Sequence, residues 1–257
     1  MSTRRDTTMT AHDRHASLSL YRVASATLLG LVTLLALPGL ASAQYSDEYR
    51  TRGTSPERFD WQLHIGPYTP YVGSNAFRDI FGGDGGPMLA MELDTHIVRI
   101  PYVGPLGIGV RGGWSRYRAR ACSVSTDGSP DCDNRADEKE KFVLLPVSIL
   151  ATLRVDVLAR ELNFPLVITG KLGLDTFFWR SRRGGSSQGS GRSLGMRWGV
   201  MFALELDFIE PRAARRLDED WGINHSYLFV ELYGSLFGTS IPMRDAFTWS
   251  AGLGLSF

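Results

Sequence analysis

The sequence has few cysteines, no excess of charge of either sign and, after residue 43, no long hydrophobic run. Its 257 residues include 28 Lys and Arg against 27 Asp and Glu, and the mean hydropathy is −0.10. This balance supplies neither a basic stripe nor an acidic tail, so we expect no nucleic-acid partner. Because the sequence has no Cys/His metal spacing and no glycine-rich phosphate loop, we also expect neither a metal nor a cofactor.

The first 43 residues are typical of a cleavable export signal. Arginines precede an apolar stretch over 28–37, and Ala41-Ser42-Ala43 has the small-x-small pattern that signal peptidase recognises. The apolar stretch is shorter than the roughly 20 residues that a membrane-spanning helix needs. We therefore predict a signal peptide over 1–43, a flexible periplasmic segment over 44–58 and one domain over 59–257.

Only Cys122 and Cys132 are present, with nine residues between them that include a Gly- and Pro-containing turn. In an oxidising compartment outside the cytoplasm, the simplest expectation is that they form a disulfide bond. Two free thiols are the alternative.

Apolar and polar residues alternate with a period of two from residue 59 to residue 257, which is typical of β-strands. Eight such runs occur, at 59–65, 89–97, 106–115, 143–156, 166–178, 194–208, 227–233 and 247–257. They are long enough to cross a tilted bilayer path, and their polar face is rich in Gly, Ser and Thr. The predicted fold is therefore an all-β, transmembrane, antiparallel up-and-down β-barrel of about eight strands. A soluble barrel is the alternative, because it also alternates.

Several aromatic residues near the strand ends are typical of the girdles that mark the membrane interfaces. They are Tyr68, Tyr71, Trp114, Tyr117, Phe177, Phe178, Trp179 and Trp249. The segments 73–86, 119–140, 181–192 and 238–246 are predicted to be long outer loops, whereas 98–105 and 157–164 are predicted to be short periplasmic turns. Within 209–224, the stretch 211–218 begins with Pro and predicts a small helix.

The polar face of the runs carries charges of both signs that predict a lumen charge network. Its members are Glu92, Asp94, Arg111, Arg154, Asp156, Lys171, Asp175, Arg197, Glu205, Asp207 and Glu231. Lys171 is expected to pair with Glu205 or Asp207 on the next strand. Such a network either fills a narrow barrel with ion pairs or lines a polar conduit, and we favour the first because small barrels are filled by their own side chains.

The segment 247–257 resembles the closing strand of bacterial outer-membrane proteins, with Trp249, Leu253, Leu255 and Phe257 at the alternating apolar positions. This resemblance implies an assembly signal that the barrel-assembly machinery recognises as a partner during biogenesis. Five further stretches resemble the uncharacterised outer-membrane β-barrel family of myxobacteria. They are 66–70, 79–82, 144–148, 207–215 and 222–229. The resemblance implies the fold and an outer-membrane location, and it implies no activity.

Three classes of function remain open. We favour an outer-membrane barrel with a structural or surface-interaction role, and the alternatives are a narrow channel and a lipid-modifying enzyme. An enzyme needs a positioned nucleophile or acid–base pair. His64 has no evident partner, and His96 and His225 fall at the periplasmic strand ends, so we expect no catalysis. The expected partners are outer-membrane lipid and lipopolysaccharide. The basic segment 182–192 could contact lipopolysaccharide phosphates, but we favour a merely solvated loop there.

Overall fold

The structure is a computed structural model that describes residues 57–72, 76–81, 86–124, 130–238, 243–244 and 247–257. The signal peptide over 1–43 and all but the last two residues of the segment 44–58 lie outside the described residues. Both assignments stay predictions.

The described residues form ten strands and three helices. The strands are β1 (Phe59–Tyr68), β2 (Tyr71–Val72), β3 (Gly86–Ile100), β4 (Gly104–Val124), β5 (Pro130–Val155), β6 (Leu166–Arg183), β7 (Ser186–Glu205), β8 (His225–Gly238), β9 (Met243–Arg244) and β10 (Thr248–Ser256). The helices are α1 (Ala76–Phe81), α2 (Val157–Glu161) and α3 (Pro211–Trp221).

Eight of the strands close into a barrel in which every strand is antiparallel to both of its neighbours. The order is β1-β10-β8-β7-β6-β5-β4-β3, and the short strands β2 and β9 pair separately. The ring closes where β1 pairs with β10, from Asp60 opposite Ser256 to Ile65 opposite Ala251. This confirms the predicted eight-stranded, up-and-down antiparallel barrel. We call the end of the barrel at Asp60 and Ser256 the terminal end, and the opposite end the far end.

The two faces of the barrel are apolar outside and polar inside. Successive residues of a strand point to opposite faces, so the alternation in the sequence becomes a difference between the two surfaces. Outside, Ile149 is 61% exposed and Leu174 is 65% exposed, whereas the inward Gln62 and Glu231 are both 0% exposed. A soluble barrel buries its apolar face, so this arrangement suits hydrocarbon around the barrel. The barrel is therefore of the transmembrane type.

Inward-facing glycines on β10 make room for large side chains of β8. A Cβ atom at Gly254 would lie 2.2 Å from the ring of Tyr227, and one at Gly252 would lie 2.6 Å from the ring of Phe229. Both rings occupy space that only a glycine leaves free. The lumen near the terminal end is thus filled by side chains rather than by open volume.

The far end differs from the prediction, because most of 119–140 and 181–192 is strand rather than loop. The β4–β5 pairing runs as far as Val124 opposite Pro130, and the β6–β7 pairing runs to Arg183 opposite Ser186. Gly184 and Gly185 connect β6 to β7 with φ of +54° and +91°, as a two-residue hairpin with positive φ at both positions requires. These strand ends extend beyond the apolar belt and consist mainly of polar residues. Their composition resembles that of a loop, which is why the sequence predicted loops there.

The three helices lie in connections between strands: α1 between β2 and β3, α2 between β5 and β6, and α3 between β7 and β8. The small helix predicted over 211–218 is confirmed as α3, which begins at Pro211 and ends before Gly222, whose φ is +67°. Helix α1 lies in the connection after β2 and was not predicted. Among the described residues, no helix is long and apolar enough to cross a membrane.

Candidate functional site

Two buried glutamates lie at the centre of the lumen, Glu92 on β3 and Glu231 on β8. The Lys171 Nζ atom lies 2.5 Å from Glu92 Oε1 and 3.5 Å from Glu231 Oε2. The Arg111 Nη1 atom lies 2.9 Å from Glu231 Oε2 and 3.4 Å from Glu92 Oε2. Two cations from β4 and β6 thus bridge two carboxylates from β3 and β8.

Arg197 on β7 extends this central cluster toward the far end. Its Nη2 atom lies 3.2 Å from Glu231 Oε1, and its Nη1 atom lies 3.9 Å from Asp175 Oδ2. The guanidinium carbon lies 3.8 Å from the ring centroid of Tyr233, and that of Arg111 lies 5.1 Å from the same ring. The two arginines therefore share a cation–π partner as well as a carboxylate.

His64 on β1 is enclosed in the same cluster. Its Nε2 atom lies 3.5 Å from Glu92 Oε2, and its Nδ1 atom lies 3.3 Å from both Glu231 Oε2 and Ser250 Oγ. The imidazole also packs edge-on against the ring of Phe229, with centroids 4.6 Å apart. The expectation that His64 has no evident partner was therefore wrong, because its partners come from strands distant in sequence.

Gln62, two residues before His64 on β1, links the central cluster to Asp94. Its Nε2 atom donates a hydrogen bond of 2.8 Å to Asp94 Oδ2, and its Oε1 atom accepts one of 2.9 Å from Lys171 Nζ. Because Gln62 carries no charge, it satisfies both a carboxylate and an ammonium group at one position.

A second cluster surrounds Arg154 of β5 at the terminal end. Its Nη1 atom lies 3.3 Å from Asp60 Oδ1 and donates a 2.9 Å hydrogen bond to Ser256 Oγ, and its Nη2 atom lies 3.1 Å from Glu205 Oε1. Glu57 Oε2 lies 3.7 Å from Nη1. Residues on both sides of the β1–β10 closure thus converge on one buried guanidinium.

Glu57, which precedes β1, connects the Arg154 cluster to side chains near the strand ends. It contacts Arg160 of α2, and its Oε1 atom lies 3.1 Å from Nε2 of His225, which also contacts Asp207. Burial raises the pKa of the Glu57 carboxyl. The charge of Arg154, a hydrogen bond from His225 and the charge of Arg160 lower this pKa, and together they outweigh the effect of burial. The pKa is therefore held well below its usual range, and Glu57 stays ionised.

An aromatic cluster fills the lumen at the far end. Its buried members are Tyr68, Phe77, Met88, Tyr117, Phe142, Leu144, Phe177 and Tyr233, with Phe81 and Trp179 packed against them. Phe77 of α1 inserts among them, with its ring 4.9 Å from that of Tyr117 and 5.4 Å from that of Phe142. The Tyr117 hydroxyl donates a 2.6 Å hydrogen bond to the Tyr68 carbonyl oxygen.

The assignment of Tyr68, Tyr117 and Phe177 to an interfacial girdle was wrong, because these residues are buried inside the barrel. Tyr117 lies six residues after the inward Arg111 on β4, so its even spacing places it on the inward face. By contrast, Trp114 and Trp249 are about half exposed on the outside, as a girdle requires.

Two groups of side chains could supply the ligands of a metal ion. They are His64, Glu92 and Glu231 in the central cluster and Glu205, Asp207 and His225 at the terminal end. In the first group Lys171 and Arg111 already contact both carboxylates, and in the second Arg154 contacts Glu205. Since a divalent cation would have to displace these positive groups, the geometry suits a network of ion pairs better than a metal site.

Nine of the eleven residues predicted for the lumen charge network lie on barrel strands and point inward. The other two do not, because Asp156 follows the end of β5 and Asp207 follows the end of β7. Asp156 contacts Arg99 and Arg160, and Asp207 contacts His225. The expected pairing of Lys171 with Glu205 or Asp207 was also wrong, since Lys171 contacts Glu92 and Glu231 across the lumen.

The prediction missed the inward side chains Asp60, Gln62 and His64 as members of the two clusters, and it missed Glu57 altogether. The first three alternate with Phe59, Trp61 and Leu63, so the period of two already placed them on the polar face. Only the partners of these side chains could not be predicted, because they depend on the strand order of the closed barrel. No local pattern in the sequence marks Glu57, which lies before the first strand.

The cysteines and the assembly signal stay predictions. Cys122 lies near the end of β4 opposite Arg135 of β5, and the next ladder pair joins Ser123 to Asp131. The side chain of Cys132 lies outside the described residues. On β10, Trp249 and Leu253 face outward, and Phe257 stacks on Phe59 of β1 with ring centroids 4.9 Å apart.

No protein-family model and no characterised protein sequence matches the chain. Solved structures with a similar strand arrangement include Ail, the attachment invasion locus protein of Yersinia pestis, at 11% identity over 78% of this chain and 97% of that chain, with a TM-score of 0.34. The Neisserial surface protein NspA matches at 12% identity over 80% and 99%, with a TM-score of 0.39. A major outer-membrane protein of Thermus thermophilus matches at 14% identity over 79% and 100%, with a TM-score of 0.40. At these values the likeness carries no argument about this chain, and the fold rests on its own strand pairing.

Proposed function

We propose that this chain is an integral protein of a bacterial outer membrane with a structural or surface-interaction role, and that its lumen does not conduct. The observation that carries the proposal is a barrel whose outside is apolar and whose inside is filled along its length. The export signal predicted over 1–43 and the resemblance to outer-membrane barrels support the location.

The apolar outer surface supports insertion in a lipid bilayer. On β4 the outward residues Leu106, Ile108 and Trp114 are 39–50% exposed, and the inward Arg111 between them is buried. Soluble proteins rarely expose a continuous apolar surface of this extent. In a bilayer the same surface is in contact with lipid chains, and the closed ring leaves no strand edge unpaired.

The filled lumen supports a structural role over a channel. The central cluster joins β1, β3, β4, β6, β7 and β8, and its side chains are buried and in direct contact. Toward the far end, the aromatic cluster and Phe77 of α1 occupy the space that a solute would need. A barrel of about eight strands is just wide enough for its own side chains, so two successive barriers stand in the way of an ion.

Neither His64 nor His225 faces the lipid or the far end of the barrel. His64 is 1% exposed inside the central cluster, and His225 contacts Asp207 and Glu57 at the terminal end. A lipid-modifying enzyme needs its acid–base group within hydrogen-bonding reach of a lipid ester. The positions of these side chains therefore favour a structural role for both.

The test is ion conductance of the folded chain in planar bilayers, after folding into phosphatidylcholine vesicles has been checked by a heat-dependent shift on gels. We expect the shift and no stepwise current. The variant Phe142→Ala, which opens part of the aromatic cluster, should stay silent because the central cluster still closes the lumen. Stepwise currents from the unmodified chain would establish the channel alternative instead.

A second measurement tests the orientation of the faces, with both native cysteines replaced by serine. A fluorescent label at Leu172→Cys should be quenched by a lipid-dissolved quencher, because Leu172 points outward in the apolar belt. A matched label at Arg215→Cys on α3 should be quenched by aqueous iodide only. Equal access of iodide to both labels would show that the barrel does not lie in the bilayer.

A further inference from the structure

Eight basic residues lie exposed or half-exposed on the outside of four adjacent strands, β4 to β7, in the part nearest the far end. They are Arg116, Arg118, Arg120, Lys139, Lys141, Arg180, Arg182 and Arg192. We call this surface the outer basic face. Each position is an even number of residues from an outward apolar residue of its own strand, such as Trp114 on β4 and Leu194 on β7.

The strand register places several of these cations directly beside one another. Arg118 of β4 is opposite Lys141 of β5, and Lys141 is in turn opposite Arg182 of β6. One rung further from the apolar belt, Arg120 is opposite Lys139. Opposed residues of antiparallel strands have Cβ atoms only about 5 Å apart, and like charges there are destabilising.

Nearby carboxylates do not neutralise the outer basic face. None of its eight members forms an ion pair with an acidic side chain within the described part of the chain. Glu140, which lies between the two lysines of β5, is buried and contacts Arg183 instead. Asp137 and Glu138 are exposed beyond Lys139, so the acidic residues begin where the basic rows end.

The height of the outer basic face matches the polar headgroups of a bilayer. On each of the four strands the outward side chains change from apolar to basic within one step of two residues. Trp114 is followed by Arg116, Val143 by Lys141, Phe178 by Arg180 and Leu194 by Arg192. An apolar band meets the headgroup layer at this level, where Lys and Arg interact with anionic lipid.

We propose that the outer basic face binds the phosphate groups of a phosphorylated glycolipid in the outer leaflet, of the lipid A type. The inference rests on the proposed outer-membrane location. Anionic phosphates between Arg118, Lys141 and Arg182 relieve the repulsion among these cations, and the arginines can hold phosphate oxygens bidentately. A lipid with two phosphates fits the two rungs of directly opposed cations, Arg118–Lys141–Arg182 and Arg120–Lys139, better than a lipid with one.

The test uses the folded chain in neutral detergent and counts bound lipid by native mass spectrometry. The probes are bisphosphorylated, monophosphorylated and dephosphorylated lipid A, with phosphatidylglycerol as a singly charged lipid. We expect the affinity to fall in that order of phosphate number. The triple variant Arg118→Gln/Lys141→Gln/Arg182→Gln should lose affinity for the bisphosphorylated form by roughly a hundredfold, since each cation near the surface contributes about 1 kcal/mol.

The matched control is Arg212→Gln/Arg215→Gln/Arg216→Gln, which removes the same charge from exposed positions of α3. It should bind bisphosphorylated lipid A as the unmodified chain does. Equal losses in both variants would overturn the proposal in favour of non-specific attraction. Displacement of the lipid by millimolar inorganic phosphate, or equal binding of dephosphorylated lipid A, would overturn it as well.

Folding into phosphatidylcholine vesicles separates this inference from the proposed function. If the unmodified chain does not insert, the membrane location fails; if it inserts but shows no preference for phosphorylated lipid, only the outer basic face is wrong. We expect the triple variant to insert at least as well as the unmodified chain, because it removes opposed like charges. Should it not insert, the single variant Lys141→Gln is used, with an expected loss of about fivefold.

Discussion

The barrel consists of two halves that differ in the sign of their inward charges. Strands β4 to β7, which we call the cationic half, contribute Arg111, Arg154, Lys171 and Arg197 to the lumen. Strands β8, β10, β1 and β3, which we call the acidic half, contribute three of the carboxylates that these cations contact. They are Asp60, Glu92 and Glu231, with Asp94 held through Gln62. Asp175 and Glu205 are carboxylates of the cationic half, and each lies beside an arginine.

The same division appears on the outside near the far end. The cationic half carries the outer basic face, whereas the acidic half presents side chains such as Ile65, Leu236 and Phe247, which are 53–61% exposed. The cationic half also has the longer strands, with 18 to 26 residues against 9 to 15 in the acidic half.

The comparison shows that neither half can satisfy its inward charges alone. Within the cationic half, Arg111, Lys171 and Arg197 would face one another without Glu231, which all three contact. A buried charge without its partner is strongly unfavourable. The charges of the lumen therefore favour the closed ring over an open sheet of the same strands.

The largest effect is expected from removing Glu231, the carboxylate that three cations of the opposite half contact. Glu231→Gln leaves three cations facing a neutral group, and we expect a loss of about 3–5 kcal/mol in the free energy of unfolding from vesicles, measured with urea. Glu210→Gln, an exposed position before α3, is the control and should change little. A loss no larger than the control's would show that the halves are held together by backbone pairing alone.

The next effect should be the same in both halves, because both present their apolar belt to lipid. Leu172→Arg on β6 and Val230→Arg on β8 each place a charge in hydrocarbon, at positions 46% and 45% exposed. We expect each to cost about 2–4 kcal/mol in the same unfolding measurement. A clear inequality between them would mean that one half faces another surface, such as a second protein, instead of lipid.

The pH dependence of the free energy of unfolding should reveal the contribution of Glu57 at the terminal end. The folded pKa of Glu57 is lowered, so its stabilising contribution is present above the unfolded value and is lost as the pH falls through the folded pKa. Glu57→Gln should lower stability at pH 7 by about 2 kcal/mol, since hydrogen bonds to charged groups contribute about 1.5–3 kcal/mol. The difference between the variant and the unmodified chain should narrow below a pH of about 4. A constant difference from pH 7 to pH 3 would contradict the assignment.

The smallest effect is expected at the tip of the cationic half. Cys122→Ser should leave the urea midpoint of the barrel unchanged within error, because a bond over so short a hairpin acts on the tip alone. Its stabilisation is at most about 3 kcal/mol, and this is local. The predicted disulfide itself is tested by mass spectrometry of the native chain, in which two free thiols would exclude it.

The period of two in the sequence was sufficient to predict the eight barrel strands and the inward direction of nine of the eleven charged residues assigned to the lumen. It could not predict that Lys171 pairs with Glu92 and Glu231, because those contacts depend on how the ring closes. The far ends of β4 to β7 were missed for a different reason. A strand that extends beyond the lipid needs no apolar side. Residues such as those over 186–192 therefore have the composition of a loop, although they continue the backbone pairing of β7 with β6. Tyr117 was misplaced because its position near a strand end does not indicate its face, whereas its even spacing from the inward Arg111 does.

The pairing of β1 with β10 also determines the order in which the fold can form. Ile65 and Ala251 are neighbours in space but lie at opposite ends of the barrel sequence, whereas every other neighbouring pair of barrel strands is joined by a connection of fewer than about 20 residues. Contacts of such long sequence separation have a high entropic cost and form late. Until then, β1 and β10 are exposed edges able to pair with another strand. The step that buries these edges is also the step that brings Asp60 and Ser256 to Arg154, so ring closure and completion of the terminal charge cluster are a single event.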